Sequence, residues 1–232
     1  MPAEKDIDLV VSQRFFANKR DGLLVEVGAA RPDFLSIGAS FRQKGWKVIS
    51  IEPNPVFYRM HLDQGNDVLQ YACSDRDADD VDFYVVKSDM GQQQGGMVTF
   101  ESFSSLGIQG RFAKDFEKAG ESAKAEKIKV NVRRLDSILK THYPMVKEVD
   151  ILAVDVEGWE LSVMRGLEEP AYQPKIVILE NIFRSHAYRA FMRKRGYALW
   201  QRLKPNEVFV RSDIPLSFRE RLEGWLIAIF SF

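Results

Sequence analysis

The chain has 232 residues, 45% of them hydrophobic, with 33 basic side chains against 33 acidic ones. That length and apolar content suit one well-packed domain over residues 1–232, and the balanced charge excludes a global field that would recruit nucleic acid or an anionic membrane. The single cysteine, Cys73, cannot form an internal disulfide and has no Cys/His cluster around it at zinc spacing, which fits a reducing, cytoplasmic setting.

Residues 1–20 mix both charges through their apolar positions, unlike a signal peptide, and read as a helical extension. Leu23–Val27 predicts the first strand and Phe34–Lys44 the first helix, with Pro32 suited to its first turn. Trp46–Ile51 predicts strand two, Pro55–Asp63 a second helix, Val68–Cys73 strand three and Asp82–Val86 an extra strand. Residues 91–105 have abundant glycine and no apolar period, which predicts a loop able to act as a lid. Lys129–Val132 then reads as a short strand, Leu135–Lys140 as a helix, Val149–Val154 as buried strand four and Glu160–Leu167 as a helix. Lys175–Leu179 is strand five, Arg189–Arg195 a helix, and Tyr197–Arg202 with Val208–Arg211 a closing hairpin. A core over 22–211 is thus followed by an extension over 212–232, whose WLIAIFSF is too short to cross a bilayer and is expected to close a core or an oligomer contact. Short β-rich runs alternating with helical patterns predict an α/β fold with a parallel sheet covered by helices.

In such a sheet, ligands bind beyond the carboxyl ends of the strands. The residues there are Glu26–Ala30, Glu52–Asn54, Ala72–Asp75, Asp155–Gly158 and Glu180–His186. The first loop resembles a dinucleotide turn but retains only Gly28; Arg31 and Pro32 stand where close approach to a pyrophosphate requires small residues. Glu52 follows Gly28 by roughly the 20 residues typical of a ribose-binding acid, and a carboxylate can accept from both ribose hydroxyls. A nucleoside without pyrophosphate is what S-adenosylmethionine would present. A plainer role for Glu52 is to cap the turn at Pro53-Asn54-Pro55.

The strings VEVGAA, GWKVISIEPNP, ACSD, VRRLDSIL, VDILAVDVEGWELSVMRGL and PKIVILE, in one collinear order over residues 22–182, resemble the FkbM-type S-adenosylmethionine-dependent methyltransferases. The most specific elements are Ile51-Glu52-Pro53-Asn54-Pro55 and Asp155-Val156-Glu157-Gly158-Trp159-Glu160 followed by Met164-Arg165-Gly166. The resemblance implies a class I methyltransferase (Rossmann-like) fold, a seven-stranded, mostly parallel sheet flanked by helices. It also implies methyl transfer, usually to a hydroxyl of a sugar, glycolipid or polyketide. Many relatives carry a second glycine four residues after the one matching Gly28, where this chain has Pro32.

Carried over residue by residue, the resemblance puts Glu26 and Gly28 beside the methionine portion of the cofactor and Glu52 on its ribose, with Ala29 among the cofactor-binding residues and Pro53 and Asn54 shaping the loop. Ala72 and Cys73 would border the adenine, Cys73 as a small buried hydrophobe. Asp155 and Glu157 would leave strand four near the reactive methyl. A hydroxyl acceptor benefits from a base, and Glu157 is the first candidate, then Asp155 and His186, with Glu180 also on the rim. Acids in this position also stabilise the start of a helix, which is the plainer reading of Glu160. His142 falls on the face opposite the crevice, and His61 is expected at the surface.

Asp155 and Glu157 could offer oxygen ligands to magnesium, but no metal is predicted, since that ion leaves no firm sequence signature. The basic stretch RSHAYRAFMRKRGYALWQRLK reads as a solvated helix face or as a patch for a phosphate- or lipid-linked sugar. The expected partner is a small hydroxylated acceptor, with no nucleic acid, no membrane span and a homo-oligomer open. The other readings are methylation of RNA or protein, a non-catalytic interaction module of the same fold, and, more remotely, a nicotinamide enzyme.

Overall fold

The computed structural model describes residues 3–88, 106 and 123–230. Its helices are α1 (Ile7–Phe15), α2 (Ile37–Gln43), α3 (Pro55–Asp63), α4 (Leu135–His142), α5 (Glu160–Arg165), α6 (His186–Lys194) and α7 (Phe218–Phe230). The strands are β1 (Leu23–Val27), β2 (Lys47–Ile51), β3 (Asp67–Leu69), β4 (Ala72–Cys73), β5 (Ala78–Ser88), β6 (Ala123–Arg133), β7 (Ile151–Val154), β8 (Ile176–Glu180), β9 (Tyr197–Leu203) and β10 (Asn206–Arg211).

Seven strands form one sheet in the order β3-β2-β1-β7-β8-β10-β9. The pairs among β3, β2, β1, β7 and β8 are parallel, and β10 runs antiparallel to both β8 and β9. The expected α/β fold with a seven-stranded, mostly parallel sheet is therefore present. Its central strands are mostly apolar because both faces are covered: β1, β7 and β8 are buried at every position, Glu26 and Glu180 included. Leu135, Ile138 and Leu139 of α4, Val163 and Met164 of α5 and Met192 of α6 pack on one face. Ile7 and Val11 of α1, Phe41 of α2 and Trp46 pack on the other. Each such side chain withdrawn from water contributes about 1.5–3 kcal/mol. The chain runs outward from β1 to β3, then returns on the other side of β1 as β7. That reversal opens a crevice at the carboxyl ends of the strands.

Several local expectations are corrected. The first helix begins at Ile37 instead of Phe34, because Ser36 caps it by accepting from the Ala39 N–H; Pro32 lies in the preceding loop. Strand three is divided: β3 pairs with β2, whereas β4 pairs with β6 in a separate three-stranded sheet, β4-β6-β5, around Phe83, Val85, Val130 and Val132. The strands expected over Asp82–Val86 and Lys129–Val132 are the middles of the longer β5 and β6. The helix placed at Arg189–Arg195 starts earlier, at His186, behind a Ser185 cap. Of WLIAIFSF, residues 225–230 belong to α7, which meets the edge of the sheet through Gly224: a Cβ there would lie 2.1 Å from the Leu199 carbonyl oxygen. The loop expected over 91–105 falls outside the described residues. No described helix is long and apolar enough to cross a membrane.

Candidate active site

Strand register builds the rim. Val27 stands opposite Ile51 and Val154, and Val154 opposite Leu179, so residues 28, 52, 155 and 180 leave the sheet side by side. Gly28 turns at φ 77° and donates its N–H to the Ile51 carbonyl at 2.9 Å. A Cβ on Gly28 would sit 1.8 Å from the Asp155 carbonyl oxygen. The space this glycine leaves is therefore filled by the backbone of the neighbouring strand end.

On one side of the Gly28–Asp155 contact lies a narrow recess of about 50 Å³, with Glu52 and Pro53 at its edge and Tyr71, Ala72, Cys73 and Phe83 among its walls. Glu52 is 5% exposed. Its Oε2 accepts from the Ala30 N–H at 2.8 Å and its Oε1 from the Asn54 N–H at 2.7 Å. The turn-capping role is therefore real, yet each carboxylate oxygen keeps a second acceptor position. Burial pushes the Glu52 carboxyl up to about 7, opposed by those two N–H groups and reinforced by the negative charges of Glu26 and Asp155. Asn54 caps α3, its Oδ1 accepting from the Val56 N–H at 2.9 Å, so its side chain shapes the loop from behind. Cys73 is buried, and that burial raises its thiol pKa well above the ordinary range, as for a small hydrophobe.

His61 corrects the sequence reading: it is fully buried. Its Nε2 lies 3.1 Å from the Ala30 carbonyl, and its Nδ1 3.3 Å from the amide nitrogen of Asn66. Burial, with Arg42 adding to it, lowers its pKa to about 4. The ring is thus neutral near pH 7, with Nε2–H donating to Ala30 and Nδ1 accepting from Asn66. It holds the loop whose Ala30 N–H in turn binds Glu52. The available signal was spacing, since Phe57 and His61 share one face of α3 at i and i+4.

On the other side of Gly28 is a cavity of about 270 Å³, lined by Glu26, Ala29, Arg31, Asp155, Glu157 and Glu180 among others. Glu26 is largely committed locally. It accepts from the Gly38 N–H at 3.0 Å and from Ser36 Oγ at 3.2 Å, and pairs with Arg42 Nη2 at 3.6 Å, fastening the start of α2 to β1. The intervening loop uses left-handed backbone at Ala30 (φ 44°) and Leu35 (φ 56°).

The strongest chemical feature is acidic. Oxygens of Asp155, Glu157 and Glu180 all lie within 4.8 Å of one another, Asp155 exposed and the two glutamates buried. Glu157 has φ 57° and the next residue, Gly158, φ 96°. Left-handed backbone at a non-glycine residue costs about 1–2 kcal/mol. Glu160 supports this turn, accepting from the N–H groups of Val156 at 3.1 Å and Gly158 at 3.0 Å and from the Tyr188 hydroxyl. Its role is therefore to fasten the loop, more specific than stabilising a helix end. Burial, followed by the negative charges of Asp155, Glu157 and Glu160, drives the Glu180 carboxyl well above the usual carboxylate range.

The remaining expectations separate clearly. His186 stands exposed in the first turn of α6, outside the cavity lining. His142 lies exposed beside Tyr71, its Nε2 3.4 Å from the tyrosine hydroxyl. Two arginines of the basic stretch point inward. Arg189 Nη2 pairs with Glu207 at 2.6 Å, both side chains buried, and its Nη1 donates to the Ile227 and Ala228 carbonyls. Arg195 donates to the Leu167 carbonyl. Both contribute to packing of α6, not to a surface patch.

Residues 26–199 match the family described as Methyltransferase FkbM domain. Methyltransferase sdnD from Sordaria araneosa is 38% identical over 55 residues, 21% of this chain and 21% of that protein. The crystal structure of methyltransferase FkbM from Methylobacillus flagellatus KT is similar at 12% identity and a TM-score of 0.46, covering 82% of this chain and 44% of that one. The similarity thus spans less than half the length of either relative.

Proposed function

Because the chain belongs to the Methyltransferase FkbM domain family, we propose that it transfers a methyl group from S-adenosylmethionine to a hydroxyl of a small metabolite such as a sugar, glycolipid or polyketide. One observation carries the reading: Glu52 edges a recess with apolar walls on one side of the Gly28–Asp155 contact, and a group of carboxylates faces the larger cavity on the other. The donor set fits this cofactor. Glu52 retains acceptor positions for two ribose hydroxyls, Pro53, Ala72 and Cys73 offer apolar walls to an adenine, and the acidic cavity favours cationic ammonium and sulfonium groups.

When bound, S-adenosylmethionine supplies an electrophilic methyl on a positively charged sulfur. Glu52 and the recess hold the nucleoside end, so that alignment of the two reactants supplies much of the rate. Glu157 would accept the proton of the acceptor hydroxyl as the hydroxyl oxygen takes up the methyl group, the carbon–sulfur electron pair staying with the sulfur. Asp155 keeps negative potential beside the sulfonium. Burial and its acidic neighbours hold the Glu180 carboxyl above the usual carboxylate range.

Calorimetric titration of the folded protein with S-adenosylhomocysteine, with NADH as control, is expected to give saturable binding of the first alone. Absence of binding by folded protein refutes the cofactor assignment. With an acceptor found by screening hydroxylated sugars, lipids and polyketides, Glu157→Gln is expected to leave S-adenosylhomocysteine affinity within about twofold and to lower turnover by about 100-fold or more, the range for loss of a general base. Full turnover in that variant removes Glu157 from the chemistry.

A further inference from the structure

We infer that Asp155, Glu157 and Glu180 form a binding site for one hard divalent cation of the magnesium, manganese or calcium class. Glu180 is the last residue of β8, and Asp155 and Glu157 follow the adjacent parallel strand β7, Glu157 in its strained turn. Their mutual oxygen separations stay within 4.8 Å. Opposite ligands lie about 4.1 Å apart around magnesium and about 4.6–5.2 Å apart around calcium. A spread of up to 4.8 Å falls in the range for opposite ligands of the larger ion and exceeds that of the smaller by about 0.7 Å, so the side chains close in by a few tenths of an ångström or more on binding.

A second observation points to a ligand, beyond the clustering of acids. Glu180 is 7% exposed and lines the larger cavity, and its Oε2 is shielded from solvent without accepting a hydrogen bond. A buried carboxylate oxygen left so is costly unless something positive reaches it. Glu180 shares a side-chain hydrogen bond with Asp155, which leaves its Oε2 without a partner, and the charges acting on it are those of Asp155, Glu157 and Glu160, all negative. Either a proton or a cation must relieve the cluster. Asp155 is exposed, so an ion can enter from the cavity side. Asn181, next to Glu180, is engaged with α6 instead: its side chain donates to the Ser185 carbonyl at 3.1 Å and accepts from the Ser185 N–H at 2.8 Å. Three carboxylates leave about three positions of an octahedral ion for waters and one acceptor oxygen.

The chemical use of the ion rests on the methyl-transfer reading, whereas its binding does not. A hydroxyl coordinated there becomes more acidic. Its proton would pass to the oxygen of Glu157 that is not on the ion, and its oxygen would bond to the methyl carbon as the carbon–sulfur bond breaks, that electron pair staying on the sulfur of the leaving S-adenosylhomocysteine.

The test is titration of EDTA-treated full chain with Mn²⁺, followed calorimetrically and by the loss of the free-ion paramagnetic resonance signal, with and without S-adenosylhomocysteine. One saturable site is expected, weakened in both Glu180→Gln and Asp155→Asn. Even partners outside the ligand shell are worth about 10–100-fold in affinity, so removing a ligand charge should cost at least about tenfold. The two variants guard against misfolding of either one, and circular dichroism checks both. No saturable Mn²⁺ binding by protein that still binds S-adenosylhomocysteine overturns the cation site and leaves a shared proton in its place. Mn²⁺ binding unchanged in both variants also overturns it, since the ion then sits elsewhere. Mn²⁺ binding that both variants weaken, in protein that does not bind S-adenosylhomocysteine, sustains the site and defeats the methyl-transfer reading instead.

Discussion

Glu52→Ala is expected to weaken S-adenosylhomocysteine binding by about 100-fold or more. Hydrogen bonds to a charged group contribute about 1.5–3 kcal/mol each, and two ribose hydroxyls would be lost. The variant also strands the N–H groups of Ala30 and Asn54, which now reach the carboxylate at 2.8 and 2.7 Å. A lower melting temperature should therefore accompany the loss of affinity. Glu52→Gln keeps one acceptor oxygen but turns an amide toward one of those N–H groups, so it should recover only part of either property. Calorimetry and thermal unfolding on the same samples read both effects, and unaltered affinity in Glu52→Ala refutes the ribose assignment.

The same residue sets a pH dependence with two opposite signs. Burial raises the Glu52 carboxyl to about 7 in the folded protein. Hydroxyl donors favour the ionised form, so affinity should fall as pH drops below about 7, and binding near neutrality should release protons into the buffer. Stability runs the other way. A folded-state pKa above the unfolded carboxylate value of about 4.3 means that the fold holds the proton more tightly. The stabilising contribution is complete below that value and is lost as pH rises through about 7. Glu26 and Asp155, the acids that act on Glu52, shift the midpoint without reversing either sign. In Glu52→Ala both trends should flatten; an affinity profile identical to the parent's would show that another group titrates.

Gly28→Ala should be the most damaging single methyl group in the crevice. The residue holds φ 77°, which costs an L side chain about 1–2 kcal/mol. The new Cβ would lie 1.8 Å from the Asp155 carbonyl oxygen, and backbone cannot rotate away as a side chain can. Overpacking of this kind costs about 1–3 kcal/mol, giving about 2–5 kcal/mol in all. At about 2–4 °C per kcal/mol for a chain of this size, thermal unfolding should show a fall of roughly 5–20 °C. The strand ends that carry Glu52 and Asp155 would also be forced apart, so S-adenosylhomocysteine binding should be lost together with stability. A melting temperature and affinity equal to the parent's would mean that the contact between these two strand ends is not needed.

Much of the scaffold could be read from the chain because its signals are local. The central strands β1, β7 and β8 are short runs apolar at every position but Glu26 and the terminal Glu180, as strands buried on both faces tend to be, and α3 starts at Pro55 behind an asparagine that caps it. Boundaries failed where a non-local partner or an unrecognised cap decided them. Ser36 and Ser185 each moved a helix start by about one turn. The run from Val68 to Cys73 was divided because its two ends pair in different sheets, a choice made by β2 and β6. His61 was misread because its partners, the Ala30 carbonyl and Asn66, come from two different loops. His186 follows the correct strand yet remains on the outside of α6, since sequence proximity to the rim does not set side-chain direction.

The sequence by itself determined the alternation of strands and helices, the family, and the order in which Gly28, Glu52, Asp155 and Glu157 reach the rim. Each of those rests on hydrophobic period, turn residues and motif spacing within a few tens of residues. Only the tertiary structure decided that Asp155, Glu157 and Glu180 share one acidic pocket, that Gly28 is required by a neighbouring backbone, and that Glu52 is buried enough to titrate near neutrality. Those properties depend on which strands are neighbours, on their register and on how much water the packed layers exclude, and all three are fixed only when distant segments come together.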